Sequence, residues 1–594
     1  FTTTCDIGPS GRFLTKLITV LVAVSITSSS VVKSPDSGSN FELLILHNND
    51  MHARFEQTSQ HSGSCTKADR EAKKCYGGFR NMVVYYRVKE ARQKAQSGEG
   101  PPVLYLNAGD TYTGTAWFTI YKWRIAAEFI NALQPDAVSL GNQDLDIKTD
   151  DVPQYLKNLK TKILACNVIL KTDNENIQKS IIVDINGVKV GIVGYLTPDA
   201  SLLDVTGDLE YIDEVLALIE EVSQLRALNV DIIVALGHSS LSKSEEIAAD
   251  VDGIDLIING FQNQFYWNGT TADSDLDEVI VTQSSGKKVP IIQSSAYSKY
   301  LGKILVQFNN AGEIVNYDAQ PILLDATIPE DAETLAIIKS HYDELATRTG
   351  EVIGNTAVVL DGETCNTEEC NLGNLITDAM MYYHAIRFEG SEPWTDAPIA
   401  IIHGGAIAAS IAPSNRPAAV TRGDLLSALP LESNIVAITV NGTVLLQILE
   451  HSVADYSLRN PSGRFLQYSG IRVTYNLTNE PGSRVASAVV RCGTCFVPEF
   501  YSIDEWRTYR ILMPAAIANG EYGYSMFAEF PRENFAHDEV TCTAEYIGLR
   551  SPVYPEVAGR IIRVGSVVED DVPDSANSLK ATIILVALLN LIFM

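Results

Sequence analysis

The sequence predicts an α/β protein of two layered domains joined by a helix, on three observations. Its 594 residues exceed what one hydrophobic core usually encloses. Short apolar runs of strand length alternate with helical stretches through both halves. The loops after several of those runs open on polar residues, which is how a layered α/β domain presents a site at its strand ends.

The first domain is expected over residues 41–325. Its leading strand is Phe41-Glu42-Leu43-Leu44-Ile45-Leu46, and further strand-like runs fall at 103–106, 137–140, 181–195, 231–236 and 251–258. The segment 329–349 begins with Pro, carries acidic residues in its first turn and stops before Gly350, so it reads as one helix inside a connector at 326–350. The second α/β domain, 351–565, has helical patterns at 371–384 and 442–452 and strands near 399–402 and 435–440. No internal repeat stands out.

Composition limits the function classes. Hydrophobic residues at 46% and charged residues at 20% describe a globular chain rather than a disordered one. A formal net charge of −28 argues against DNA or RNA as the main partner, and any phosphate ligand would need a metal or local positive charge. Arg12 and Lys16 followed by an apolar run and small residues read as a secretory signal over 1–30, N-terminally incomplete because the initiator Met is missing. The end, 570–594, has an acidic small-residue spacer and a short apolar tail, the pattern of a GPI-anchor signal; a buried C-terminal helix is the alternative. Both ends predict a secreted or cell-surface protein.

Nine cysteines fit that compartment. Cys65 with Cys75, Cys365 with Cys370, and Cys492 with Cys495 are close enough in sequence to close small disulfide loops. Zinc is the rival for Cys492-Gly-Thr-Cys495, but no second pair lies at finger spacing. Cys166 and Cys542 stay unassigned. Asn268, Asn441 and Asn476 head glycosylation triplets.

Asp50-Met-His52 sits where the leading strand meets a polar loop. Alone, such a pair reads more readily as a loop Asp beside a solvated His. Joined by Asp110, Asn142, His238 and Asn263, it becomes a set of hard oxygen and imidazole ligands at strand ends, suited to two divalent ions with Asp110 as the bridge. Two such ions grip a phosphoryl group and an attacking water.

The segments Ile45-Leu-His-Asn-Asn-Asp-Met-His-Ala-Arg54, Tyr105-Leu-Asn-Ala-Gly-Asp-Thr-Tyr-Thr-Gly-Thr115, Gly237-His-Ser239 and Glu369-Cys-Asn-Leu-Gly-Asn-Leu-Ile-Thr-Asp378 resemble the 5′-nucleotidase/apyrase family. The likeness runs over residues 41–565. It implies an N-terminal metallophosphoesterase-like domain, a linking helix and a C-terminal 5′-nucleotidase domain that binds nucleotide, with the active site in the cleft between them. It also implies hydrolysis of nucleoside mono-, di- or triphosphates by two divalent ions.

Several positions depart from that family's pattern. Where it has Gly-Asn-His-Glu-Phe-Asp, this chain reads Gly141-Asn-Gln-Asp-Leu-Asp146. Asn142 matches a metal ligand and Asp146 matches the partner of the catalytic histidine, but Gln143 replaces the histidine itself. Where the family has Gly-Gly-His-Ser-Asn, the chain reads Asn259-Gly-Phe-Gln-Asn263, so Phe261 replaces a metal-ligating histidine. The resemblance then leaves Asp50, His52, Asp110 and Asn263 for a first ion, and Asp110, Asn142 and His238 for a second. One divalent ion (Zn, Ca, Mg or Mn) is expected to bind well, the other weakly or not at all.

The nucleotide-binding positions that the resemblance implies have also changed. Asn366 and Ala408 stand where arginines are expected, Leu431 and Ala516 where two aromatic rings clasp the base, and Tyr522 where an Asp holds the ribose. His403 opens the altered glycine-rich stretch. In the alternative reading, His403, Tyr522 or Tyr524 rebuild a different pocket. Arg422-Gly423-Asp424 spells the tripeptide that integrins read, although Asp424 before an apolar run is also a helix-start residue. The sequence thus predicts an extracellular family member with lost or weakened hydrolysis. It would act as a binder of nucleotide or a cell-surface receptor, with an anti-platelet role of the kind family members have in the saliva of blood feeders. The alternative is an active metal-dependent nucleotidase acting on ATP, ADP or AMP.

Overall fold

The computed structural model describes residues 40–78, 83–111, 113–142, 144, 152–170, 177–197, 209–261, 279–328, 332–413, 416–431, 433–458 and 461–565. The fold is mixed α/β, as the sequence predicts. The signal, the GPI-like tail, Gln143, Asp146 and Asn263 lie outside those residues.

Two stacked sheets make the N-terminal half. In the first, the strand Phe41–Asn48 lies between Tyr300–Phe308, antiparallel, and Val103–Asn107, parallel, with Ala137–Ser139 parallel beyond. The second carries Val188–Leu196, Ile232–His238 and Leu256–Gly260 as parallel neighbours. Both sheets are buried on two faces, which is why their strands read as continuous apolar runs rather than alternating ones. Leu43, Ile45, Leu104 and Leu106 face Val190, Ile192, Val234 and Ile258 across the gap between the sheets. The opposite parity of the first sheet, Leu46 and Tyr105, meets Trp117, Phe129 and Ile130 of the covering helices. On the outer face of the second sheet, Val193, Ile233 and Ala235 pack on Leu218, Val222 and Ile247.

Two predicted strands needed correction. The run 181–195 is a hairpin, Ser180–Ile185 and Val188–Leu196, turned by Asn186-Gly187, both with positive φ. Asn-Gly is the strongest short hairpin signal, and it lay inside an otherwise apolar run. The run 251–258 begins as the end of the helix Leu241–Asp250, capped at Val251, and only Leu256–Gly260 is strand.

The connector helix runs Ala332–Thr349. In the C-terminal half a five-stranded sheet places Leu466–Ser469, Ile399–His403, Thr508–Pro514, Asn434–Asn441 and Arg532–Asp538 in that order, with a four-stranded sheet beside it. The helix Asn371–Ala385 covers one face with Leu372, Leu375 and Ile376, in a core continuous with that of the N-terminal half. The helix Gly442–Ser452 covers the other with Leu445, Ile448 and Leu449. Disulfides join Cys65 to Cys75, Cys365 to Cys370 and Cys492 to Cys495, while Cys166 and Cys542 are buried and free.

Candidate metal centre and the cleft beside it

Because the central strands of each N-terminal sheet run parallel, their C-terminal ends share one edge, and the candidate ligands follow those ends. Asp50 comes two residues after Asn48, Asp110 three after Asn107, and His238 closes its strand. The first two loops are zipped together: the Asp50 amide donates to the Gly109 carbonyl at 2.9 Å, and the His52 amide to the Asp110 carbonyl at 2.9 Å. Asp50, His52 and Asp110 all adopt left-handed backbone, φ 47°, 47° and 51°. Asp and His tolerate that region better than most side chains, and the packed strands hold them in it.

The side chains converge. Ligand atoms of Asp50, His52 and Asp110 all lie within 4.8 Å of one another. His238 Nε2 is 3.1 Å from Asp110 Oδ2 and 3.8 Å from Asp50 Oδ1, and it is wholly buried. Its Nδ1 sits 2.8 Å from the Ala108 carbonyl, which accepts the ring proton and leaves Nε2 to face the carboxylates. Burial favours the neutral ring, but Asp110 and then Asp50 outweigh it and hold the His238 pKa up at about 10. Asp50, His52 and Asp110, with no Lys or Arg among them, are a donor set that fits a divalent cation, and His238 adjoins them on the Asp110 side.

Several residues that sequence reasoning missed hold this arrangement. The Asp144 carboxylate accepts from the amides of Asp110 at 2.9 Å, Thr111 at 3.1 Å and Gly141 at 3.0 Å, tying the second loop to the third. Gly141 is required by close approach, since a Cβ there would stand 2.0 Å from Asp110 Oδ1. Tyr297 donates its amide to the Asp50 carbonyl at 2.8 Å and lays its ring beside His52. Over that ring sits Arg54, whose guanidinium donates to the carbonyls of His52 at 3.0 Å, Gly114 at 2.8 Å and Ala408 at 2.9 Å. Burial pulls its pKa down to about 10. Arg54 therefore ties a loop of the metal centre to the C-terminal half. Gly141 and Asp144 lay in the loop already singled out at 141–146 and Arg54 at the end of the segment 45–54, whereas Tyr297 carried no signal.

Phe261 enters this centre through its backbone. Its amide donates to Asp50 Oδ2 at 2.9 Å, at a φ of 104°, and its ring stands edge-on to His238 with centroids 5.5 Å apart. The side chain offers no ligand there.

A cleft of about 790 Å³ opens from the metal centre toward the C-terminal half. Asp50, His52, Asp110, Asn142 and Phe261 line one side of it, and Asn366, Ala408, Leu431 and Tyr522 the other. His403 and Ala516, expected at the nucleotide, do not line it. His403 is buried, with Nε2 3.2 Å from Glu521 Oε2 and its ring 4.8 Å from that of Tyr522, so it supports the cleft wall from behind. Ala516 lies in the short helix Ala515–Ala518, its amide bound to Ser433 Oγ. Arg422, Gly423 and Asp424 open the helix Arg422–Ala428, where Thr421 and Asp424 form a reciprocal capping box.

Comparison with known proteins agrees with this architecture. A family model described as Calcineurin-like phosphoesterase matches residues 43–260, and one described as 5'-nucleotidase, C-terminal domain, matches residues 352–529. The chain belongs to the 5′-nucleotidase family. It is 37% identical over 573 residues to Protein 5NUC of Lutzomyia longipalpis, covering 94% of this chain and 99% of that one. It is 35% identical to the human 5′-nucleotidase, covering 88% and 91%. The solved 5′-nucleotidase precursor of Thermus thermophilus superimposes with a TM-score of 0.77 at 25% identity, covering 89% of this chain and all of that one.

Proposed function

We propose that this chain is an extracellular nucleotide-binding member of its family whose phosphohydrolase activity is strongly weakened. The observation that carries the reading is the apolar ring of Phe261 beside His238, with no donor atom to offer a second ion. Gln143 offers a hydrogen bond but neither the positive charge nor the transferable proton of a histidine. The lining at Asn366 and Ala408 is neutral, which weakens the grip on a phosphate chain further.

Asp50, His52 and Asp110 would hold the better-bound divalent ion, with Asn263 as the further ligand the resemblance implies, and that ion supplies Lewis-acid polarisation of a phosphoryl oxygen when present. Asp144, Tyr297 and Arg54 keep those ligands in place. Residue 143 would contribute only hydrogen bonding at the phosphoryl group. The venom relatives support an extracellular setting, and the proposal includes an anti-haemostatic role through capture of nucleotide. Integrin recognition is not part of this reading, because the Asp424 carboxylate is engaged by Thr421.

The compact Asp50, His52 and Asp110 cluster favours a second reading, in which an active nucleotidase works with one ion. Phosphate release from AMP, ADP and ATP, with Mg²⁺, Ca²⁺, Mn²⁺ or Zn²⁺ supplied in turn and nucleotide binding measured alongside, separates the two. Metal-dependent binding with turnover roughly 10²–10⁴ below an intact family member is expected. Turnover equal to that of the intact enzyme would overturn the proposal in favour of the second reading.

A further inference from the structure

The C-terminal wall of the cleft holds one charged pair that none of the roles above uses. Arg464 Nε lies 3.1 Å from Asp455 Oδ1, and both residues line the cleft. Arg464 is the sole Lys or Arg among the described residues lining it. Its backbone is fixed: the amide donates to Ser462 Oγ, and the carbonyl accepts from the buried Tyr524 hydroxyl at 2.6 Å. Nε stands at ion-pair distance from Asp455 without a hydrogen bond to it, and the two Nη nitrogens make no hydrogen bond to a described residue.

Next to this pair stands an aromatic wall. Tyr522, in left-handed backbone at φ 51°, lays its ring against Gly463 and Gly405. A Cβ on Gly463 would be 2.4 Å from the ring and one on Gly405 2.5 Å from the hydroxyl oxygen, so glycine at both positions makes room for the ring. His403 backs it at a centroid distance of 4.8 Å. Gly463, against which the ring lies, immediately precedes Arg464, so the ring and the charged pair are neighbours on one wall.

The pair's charge decides what it can recognise. An anion approaching the guanidinium meets the Asp455 carboxylate as well, so a phosphate gains little. A neutral group that presents a carbonyl acceptor beside an N–H donor satisfies both partners: the Nη fork donates to the carbonyl and a carboxylate oxygen accepts from the N–H. That edge, a lactam, belongs to hypoxanthine, guanine and uracil. Adenine and cytosine present an amino group beside a bare ring nitrogen instead, which sets donor against donor and acceptor against acceptor.

Resting on the nucleotide-binding reading above, we propose that Tyr522, Arg464 and Asp455 form a rebuilt base site that selects lactam-bearing bases. Tyr522 supplies the stacking face in place of the ring positions now held by Leu431 and Ala516.

Inosine and adenosine monophosphate differ only at this edge, which makes them the probe. Their dissociation constants for the full secreted chain, with a divalent ion supplied, should differ by roughly ten- to a hundredfold in favour of the inosine nucleotide. Arg464→Met and Asp455→Leu, on partly exposed side chains, should each bring that ratio close to one. Equal binding of the two nucleotides by the unaltered chain, or a preference that survives both substitutions, would overturn the proposal and leave nucleotide binding intact. If neither monophosphate binds, and guanosine and uridine monophosphates also fail, the nucleotide-binding reading falls with it.

Discussion

His47 makes acid stability a test of the packing beneath the metal centre. It lies on the same strand as the approach to Asp50, opposite Gly302 of the antiparallel neighbour. A Cβ on Gly302 would stand 2.2 Å from the imidazole, so the ring fills that space completely. It is 1% exposed, and its Nδ1 makes no hydrogen bond. Burial alone drives its pKa from 6.5 to about 4.

The sign follows from which state holds the proton. In the folded chain the ring is neutral down to about pH 4, whereas in the unfolded chain it takes up a proton below 6.5. Stability from this residue is therefore fully present above pH 6.5, falls as the solution is acidified, and is gone by about pH 4. At 1.36 kcal/mol per pH unit, the depression amounts to about 3 kcal/mol. Denaturant midpoints for the unaltered chain and for His47→Leu, measured from pH 7 to pH 4, give the difference in stability between them. That difference should move by about 3 kcal/mol toward the variant on acidification. A difference that does not vary with pH would refute the reasoning, because it would mean the ring is hydrated or paired.

Phe261→His adds an imidazole beside His238 while keeping the backbone donor to Asp50, so divalent-ion affinity by calorimetric titration should rise roughly 10–100-fold. An unchanged affinity and stoichiometry would show that residue 261 does not reach the centre. Arg54→Met strips the buried donor from three carbonyls while removing an expensively buried cation, and a net loss of about 2–4 kcal/mol is expected by thermal unfolding. Asp424→Ala breaks the capping box of the helix Arg422–Ala428 and should cost about 1 kcal/mol in the same assay.

How far the chain could be read depended on the range of the interaction. The strand Phe41–Asn48 was visible because a strand buried on both faces is apolar at consecutive positions. The three disulfides were visible because their partners are at most ten residues apart. Arg54, by contrast, was an unremarked residue of a motif until the fold set it 2.9 Å from a carbonyl 354 positions away. Tyr297 likewise has no local pattern; it matters because its amide meets the Asp50 carbonyl. The expected roles of His403 and Ala516 rested on alignment to a motif, and a motif does not say which side of a wall a residue occupies. His403 turned toward Glu521, where a buried imidazole finds a partner, and left the cleft to Tyr522.

The retention of Asp50 is weaker evidence for chemistry than its place in a motif suggests. Its carboxylate accepts from the Phe261 amide and from Asn49 Nδ2 at 2.7 Å, while its own amide and carbonyl bind Gly109 and Tyr297. Removing it would leave buried donors without acceptors, at about 1–3 kcal/mol each, whether or not an ion were ever bound. Asp144 is held by the same logic, with three amides on one carboxylate. Such residues serve the loops whether or not an ion is bound. Residue 261 is under no such constraint in its side chain: the donor to Asp50 is the backbone, which a histidine or a phenylalanine supplies equally. The side chain there is set by the metal centre alone, so the proposed weakening of the second ion rests on a ring that cannot ligate, and the aspartates, which the loops need in any case, weigh little against it.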